Sequence, residues 1–135
     1  MVADGVLEMR LVVTAEDYAA AVAFYRDTLG LPQLAAFDDG AGHVVILDAG
    51  RATLELSDVP HAEHIDRVEV GRRVAGHVRV AFGVADAAAA THRLTDAGAT
   101  LIAPPTPTPW RSLNSRLEAP GGLQLTLFQN EIAEF

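Results

Sequence analysis

Two stretches of the chain share the same order of apolar and polar positions. An apolar run that starts at an arginine and ends at an acidic residue occurs at 10–17 and again, without gaps, at 79–86. Short runs of this kind predict strands. The stretches that follow, 17–29 and 86–97, are rich in alanine and end before a glycine, which is typical of helices. The chain is therefore predicted to repeat one structural unit.

Each predicted helix is followed by three short apolar runs that turn residues separate. These runs lie at 32–37, 43–48 and 52–57 in the first half and at 99–103, 112–118 and 123–128 in the second. The order βαβββ occurs twice and predicts an α+β fold: two small curved sheets pair edge to edge into a cup, with the helices outside. We expect one domain over 1–135, with repeat one at 6–57 and repeat two at 76–128.

Two segments interrupt this pattern. Residues 58–75 connect the repeats, and we expect them to form an exposed linker. Residues 104–109 contain four prolines, and because proline cannot donate a backbone hydrogen bond, they predict an ordered, semi-rigid loop instead of a central strand.

Trp110, the only tryptophan, follows this loop. It is a candidate lid or stacking platform at the mouth of the cup, and its alternative role is to anchor the core.

Composition and charge narrow the range of functions. The formal net charge of −8 disfavours nucleic acid and anionic membranes as partners. Without cysteine there is no disulfide, thiolate zinc site or cysteine nucleophile. All ten basic residues are arginines, so any cation inside a cavity is a guanidinium, which binds planar carboxylates or phosphates through two hydrogen bonds. The sequence does not open with a basic segment followed by an apolar run, and we expect a cytoplasmic protein.

Four motifs resemble the vicinal oxygen chelate superfamily. They are Phe24–Leu31, with the sequence FYRDTLGL, the strand 54–56, the junction 84–86 and the ending 119–128. That superfamily includes glyoxalase I, extradiol dioxygenases, epimerases, fosfomycin thiol transferases and bleomycin-resistance proteins. The resemblance implies a cup that holds a small molecule, commonly within a homodimer. It leaves the function open, because enzymes and plain binding proteins share this fold.

The resemblance also implies positions for a metal. Metal-dependent members carry one ligand on the first and last strand of each repeat, usually His or Gln, Glu, His and Glu. Here the first-strand positions correspond to Arg10 and Arg79, and the last-strand positions to Glu55 and Thr126. Only Glu55 coordinates a divalent ion well, and an arginine does not coordinate one because it stays protonated. We therefore expect no metal cofactor.

A register shift of two residues gives an alternative metal site. It would bring Glu8, His77 and Gln124 beside Glu55, a set that could hold an oxygen-preferring divalent metal. The gap-free alignment of the two arginine-led strands disfavours this shift. A second, weaker alternative is a metal on the linker between His61 and His64, which are spaced like ligands on one helical turn.

The residues of the predicted cup allow a structural and a functional interpretation. Arg10, Arg79 and Glu55 form either a buried ion-pair cluster in place of the metal or a site for an anionic or carbonyl-bearing ligand. Arg116 and Asn114 alternate on the penultimate strand, where Arg116 either enters the cup or lies at an exposed edge. His77 is the best candidate for a general base.

Two functions follow from these residues. The first is a metal-free, homodimeric protein of the bleomycin-resistance type that binds a small organic molecule and sequesters an antibiotic or metabolite. Its predicted ligand-binding residues are Arg10, Arg79, Asn114, Arg116, Thr126 and Trp110. The alternative is a lyase or isomerase of the glyoxalase type, dependent on the shifted metal set or independent of metal. In the metal-independent form, arginines polarise a carbonyl and Glu55 or His77 moves a proton.

Overall fold

The structure combines helices and strands, and it adds one helix to those that the apolar pattern predicts. The computed structural model of the protein describes residues 11, 13, 15–38, 42–52 and 59–131. Its elements are α1 (Tyr18–Val22), continued by a π-helical segment (Ala23–Thr28), β1 (Gln33–Asp38), β2 (His43–Leu47), α2 (Val59–Glu69), β3 (Val80–Gly83), α3 (Ala87–Asp96), β4 (Thr100–Pro107), β5 (Ser112–Glu118) and β6 (Gln124–Asn130). The predicted α+β class is confirmed.

The second half of the chain forms a four-stranded sheet with the order β3-β6-β5-β4. β3 runs parallel to β6, while β5 is antiparallel to both β6 and β4. The first strand of the βαβββ unit therefore lies beside the last, and Ala81 pairs with Thr126. This pairing brings the residues that flank β3 close to the polar face of β6.

The first half of the chain is described in part. α1 and the π-helical segment precede β1 and β2, which pair antiparallel with a register shift between Gln33 and Ala35. The predicted strand that begins at Arg10 and the strand at 52–57 fall largely outside the described residues.

Aspartate side chains begin both predicted helices. Oδ1 of Asp17 accepts a hydrogen bond from the Ala20 amide, and Oδ1 of Asp86 accepts one from the Ala89 amide, each at 3.0 Å. Such caps satisfy an amide that has no partner inside the helix. At the other end of α3, Gly98 has a φ of 114°, a conformation that glycine adopts with little strain.

The hydrophobic core lies between the helices and one face of the four-stranded sheet. On this face α3 and Phe24 pack against three leucines of β5 and β6. The buried residues of this cluster are Phe24, Ala90, Leu94, Ala99, Leu117, Ala119, Leu125 and Leu127. Because side chains alternate across a strand, the residues between these leucines lie on the opposite face. That second face carries Asn114, Arg116 and Thr126.

The proline-rich segment is a strand, so the loop predicted over 104–109 is wrong. β4 continues to Pro107 and, of the described strands, pairs with β5 alone, so it is the edge strand of the four-stranded sheet as described. Its register shifts between Leu101 and Ala103 and again between Ala103 and Thr106. Proline is tolerated at an edge and at such irregularities, because no neighbouring strand requires its missing amide hydrogen.

The expectation of an exposed linker over 58–75 is also wrong. Most of this segment is the helix α2, and its residues Asp66 and Glu69 are buried. Two carboxylates are stable in such a place only if cationic or hydrogen-bonding partners surround them. The partners come from the polar face of β5 and β6.

Within the described residues, no helix combines the length and the apolar character that crossing a membrane requires.

Gly83 provides a test of packing on the second sheet face. A Cβ atom at Gly83 would lie 2.9 Å from Cζ of Phe128, whereas a Cβ at Gly76 would have no atom within 4 Å. We expect Gly83→Ala to lower the free energy of unfolding by about 1–2 kcal/mol through overpacking. The control Gly76→Ala should change it by less than about 0.5 kcal/mol. Urea unfolding followed by circular dichroism measures both, and equal stabilities would contradict the packing described here.

Candidate functional site

A group of buried polar side chains covers the face of β5 and β6 that is opposite the hydrophobic core. We call it the polar cluster. It consists of Asp66 and Glu69 from α2, Asn114 and Arg116 from β5, and Gln124 and Thr126 from β6. Arg116 and Thr126 are direct partners in the antiparallel register, so strand pairing alone places them side by side.

Arg116 is at the centre of the polar cluster and is completely buried. Its Nη1 donates to Oδ1 of Asp66 at 2.8 Å and to Oε1 of Gln124 at 3.1 Å. Its Nη2 donates to Oε1 of Glu69 at 2.8 Å, and its Nε donates to Oγ1 of Thr126 at 3.2 Å. All three guanidinium nitrogens therefore have partners, and two carboxylates compensate the charge.

Asp66 connects the polar cluster to the segment that follows α2. Its Oδ2 accepts hydrogen bonds from Nη1 of Arg73 at 2.8 Å, from the Val74 amide at 2.7 Å and from the Ala75 amide at 2.8 Å. Burial opposes ionisation of Asp66, but the amides of Ala75 and Val74 and the guanidinium groups of Arg116 and Arg73 outweigh it and lower its pKa far below the usual range. Asp66 is therefore a carboxylate throughout the neutral and mildly acidic range.

Within the described ranges, the partners of Glu69 are side chains of the sheet. Its Oε2 accepts from Nδ2 of Asn114 at 2.7 Å, and its Oε1 accepts from Arg116 and, at 3.4 Å, from the hydroxyl of Thr126. Oδ1 of Asn114 is buried and has no hydrogen-bond partner among the described residues. The polar cluster thus contains one acceptor that is not satisfied.

Two of the four positions that correspond to metal ligands in the resembling family lie in this region. Nη1 of Arg79 donates to Oγ1 of Thr126 at 2.7 Å, so these two side chains are in contact, as strand pairing predicts. A permanent cation and a neutral hydroxyl are a poor donor set for a divalent metal, because the guanidinium repels the ion and offers no lone pair. The other two positions, Arg10 and Glu55, lie outside the described residues.

Of the shifted ligand set, the described part of the chain contains Gln124 and His77. Gln124 uses its oxygen to accept from Arg116 and its Nε2 to donate to the Val74 carbonyl at 2.8 Å. His77 is exposed in the segment before β3, while Glu8 and Glu55 lie outside the described residues. Among the described residues, no group of three or more His, Asp or Glu side chains is arranged to hold a metal.

Trp110 lies beside α2, near one of the two linker histidines. Trp110 is 43% exposed in the turn between β4 and β5, and its ring centroid is 6.4 Å from that of His64. His61 and His64 are both exposed on α2. Arg111, next to Trp110, has a φ of 67°, which is unusual for a residue other than glycine. Trp110 therefore projects from a tight turn beside α2.

Sequence reasoning missed Asp66, Glu69 and Arg73. The available signal was the spacing of Asp66 and Glu69, which are three residues apart and so share one face of a helix. This spacing indicates a shared face only if residues 59–69 form a helix. Because they were interpreted as a linker, the spacing was not recognised.

A surface pocket of about 350 Å³ lies away from the polar cluster, between α1 and the β1–β2 pair. Its lining includes Tyr18, Val22, Arg26, Gln33, Ala36 and Val45. The pocket is open, and its guanidinium, from Arg26, is paired with the adjacent exposed Asp27 at 2.8 Å. The polar cluster is the stronger candidate, because burying charged groups is costly and is rarely without a purpose.

A family model and several solved structures resemble this chain. The model of the Glyoxalase/Bleomycin resistance protein/Dioxygenase superfamily matches residues 9–127. No match was found among curated proteins.

Three solved structures illustrate the likeness of the fold. A glyoxalase-related enzyme from Fulvimarina pelagi is 18% identical, with 87% of this chain and 84% of that chain covered and a TM-score of 0.55. A protein of unknown function from Agrobacterium tumefaciens str. C58 is 23% identical, with 93% and 97% covered and a TM-score of 0.57. A superfamily member from Sphaerobacter thermophilus DSM 20745 is 22% identical, with 88% and 92% covered and a TM-score of 0.55.

The pKa of Asp66 leads to a prediction about acid stability. A carboxylate whose pKa is lower in the folded state stabilises the fold fully above its unfolded pKa, about 4, and loses this contribution as the pH falls below it. We expect Asp66→Asn to lower the free energy of unfolding by about 3–5 kcal/mol at pH 7, since it breaks a buried pair. The difference from the unmodified protein should shrink as the pH falls from 5 to 2.

Denaturant unfolding at several pH values measures this effect. Asp27→Asn is the matched control, because Asp27 pairs with Arg26 at the surface, and it should leave the stability nearly unchanged. A difference between Asp66→Asn and the unmodified protein that is independent of pH would contradict the assigned ionisation.

Proposed function

Because the chain belongs to the Glyoxalase/Bleomycin resistance protein/Dioxygenase superfamily, we propose that it binds a small organic molecule in its cup without the metal that many relatives use. The match over residues 9–127 confirms the resemblance that the motifs indicated. The polar cluster is the observation that carries the proposal. A sheet face with a merely structural role favours apolar side chains, whereas this face buries a guanidinium, two carboxylates and an amide.

The contact between Arg79 and Thr126 supports the metal-free part of the proposal. Both residues correspond to metal-ligand positions in the family. Their 2.7 Å hydrogen bond places the Arg79 guanidinium beside the second of these positions, where its positive charge would repel a metal ion. Guanidinium groups bind planar carboxylates and carbonyl oxygens through parallel N–H donors. The proposed ligand therefore carries a carboxylate or a carbonyl, contacted by Arg79, Asn114, Arg116 and Thr126, with Trp110 at the mouth. Arg10, which lies outside the described residues, stays a predicted contact.

The wider setting of the proposal follows from the family and the composition. A homodimer would complete the cup, and a cytoplasmic protein of this type would sequester an antibiotic or a metabolite. The net charge of −8 supports small molecules over nucleic acid as partners.

The enzymatic alternative, a lyase or isomerase of the glyoxalase type, remains a prediction. Its candidate general base His77 is exposed before β3 and makes no hydrogen bond to the described residues. Its other candidate, Glu55, lies outside the described residues. Turnover of an added carbonyl substrate that is lost in Glu55→Gln without loss of fold would establish this alternative.

Metal analysis and ligand-induced stabilisation test the proposal. Protein purified without chelator should contain no stoichiometric zinc, nickel, manganese or iron. In a panel of bleomycin and small carboxylates, including pyruvate and N-acetylglycine, at least one compound should raise the melting temperature, because a ligand that binds only the folded state stabilises it.

Arg79→Gln should lose most of this stabilisation, since Arg79 belongs to the proposed site. Arg72→Gln, a change of the same type at an exposed arginine, should keep it. Stoichiometric metal in the purified protein would overturn the metal-free proposal. An unchanged melting temperature with every compound would overturn the binding function.

A further inference from the structure

The attachment of α2 to the sheet is unusual in its chemistry. The only buried residues of this helix are the acids Asp66 and Glu69. Its apolar side chains are less buried: Val59 is 64% exposed, and Ile65 and Val68 are intermediate. Helices ordinarily pack on a sheet through a buried apolar stripe. The position of α2 therefore depends on carboxylates, whose partners a competing anion can also bind.

The groups that hold Glu69 form a carboxylate-binding set. Arg116 donates to one carboxylate oxygen at 2.8 Å, Asn114 donates to the other at 2.7 Å, and the Thr126 hydroxyl adds a longer contact at 3.4 Å. All three donors belong to the sheet, on β5 and β6. A free carboxylate of similar shape would find the same donors in the same places.

Asn114 indicates that this set is incomplete when Glu69 fills it. Its Oδ1 is buried and has no partner among the described residues. Flipping the amide does not help, because it would place Oδ1 against the carboxylate of Glu69. A buried acceptor without a partner is unfavourable, and a ligand that presents an N–H or O–H group to Oδ1 would remove this defect.

Asp66 and Glu69 differ in what holds them when α2 moves. Asp66 accepts three hydrogen bonds from Arg73, Val74 and Ala75, which follow α2 closely in sequence, and one from Arg116 of the sheet. The segment after α2 is itself bound to β6 by the hydrogen bond from Gln124 to the Val74 carbonyl. The hydrogen bonds of the Glu69 side chain to described residues all come from the sheet. Displacement therefore requires that Glu69 exchange the sheet donors for water and that Asp66 give up its 2.8 Å contact with Arg116, while the other three hydrogen bonds of Asp66 remain.

From these contacts we infer that Glu69 occupies, in the free protein, the place of a ligand carboxylate. The site of Arg116, Asn114 and Thr126 takes a small carboxylate that also carries a hydrogen-bond donor for Oδ1 of Asn114, and the ligand binds by displacing Glu69 and the end of α2. This inference rests on the proposed binding function and specifies its ligand class. In this view α2 is a lid, and the Glu69 carboxylate holds it closed by occupying the place of the ligand carboxylate.

The test compares the affinities of variants for a defined probe. N-acetylglycine carries a carboxylate and an amide donor, and N-acetylglycinamide is the same molecule without the charge. Glu69→Gln removes the charge of the side chain that competes with the ligand. If Glu69 leaves the site open less than about a tenth of the time, this variant should bind N-acetylglycine at least about tenfold more tightly than the unmodified protein. Isothermal titration calorimetry measures both affinities. Glu63→Gln, the same change elsewhere on α2, should match the unmodified protein, and N-acetylglycinamide should bind none of them.

A second measurement uses the unmodified protein and stands even if Glu69→Gln does not fold. Arg67 is exposed on α2, and Trp110 is 6.4 Å from His64 of the same helix. N-acetylglycine should accelerate trypsin cleavage after Arg67 and change the fluorescence of Trp110, the single tryptophan. Unchanged or slower cleavage would overturn the displacement of α2.

The remaining outcomes separate this inference from the proposed function. If panel compounds stabilise the protein but Glu69→Gln binds N-acetylglycine no more tightly than Glu63→Gln, the inference is wrong and the binding function stands. If no compound binds the unmodified protein or either variant, the binding function fails and the inference fails with it.

Discussion

A guanidinium group keeps its charge at any pH that a protein tolerates, and Arg116 places one where no water reaches it. The fold must then supply anions, since a buried charge without partners is strongly destabilising. Asp66 and Glu69 are those anions, each 2.8 Å from a different guanidinium nitrogen. The position of α2, the course of the segment after it and the orientation of Asn114 all follow from this one requirement.

Different interactions stabilise the two faces of the strands β5 and β6. On one face Leu117, Leu125 and Leu127 are completely buried against α3, where the hydrophobic effect favours association without directional demands. On the other face each polar group needs a partner at a defined distance and angle. The first face makes the sheet stable, and its rigidity allows the second face to hold donors in fixed positions.

Local signals in the sequence predicted the elements whose structure depends on nearby residues. The strand 112–118 was predicted with the bounds that the structure has, and the helix predicted over 86–97 differs from α3 by one residue at each end. The partners of Arg116 could not be predicted in this way, because Asp66 and Glu69 precede it by 50 and 47 residues. The prediction of a loop over 104–107 was wrong for a different reason. Proline disfavours central strands, but here pairing with β5 at the sheet edge outweighs that local preference.

A divalent metal and a guanidinium group support different chemistry in a site of this kind. A divalent metal and a guanidinium both require oxygen atoms around them, so the surrounding polar residues look alike in the two cases. A metal, however, can leave a coordination position open for a reacting oxygen, whereas a guanidinium offers only N–H donors in one plane. Such donors fix the position of a planar anion without adding a Lewis acid. In the proposed function, the polar cluster recognises and releases a ligand, and Glu69, as the proposed internal ligand, sets the affinity that any external ligand must exceed.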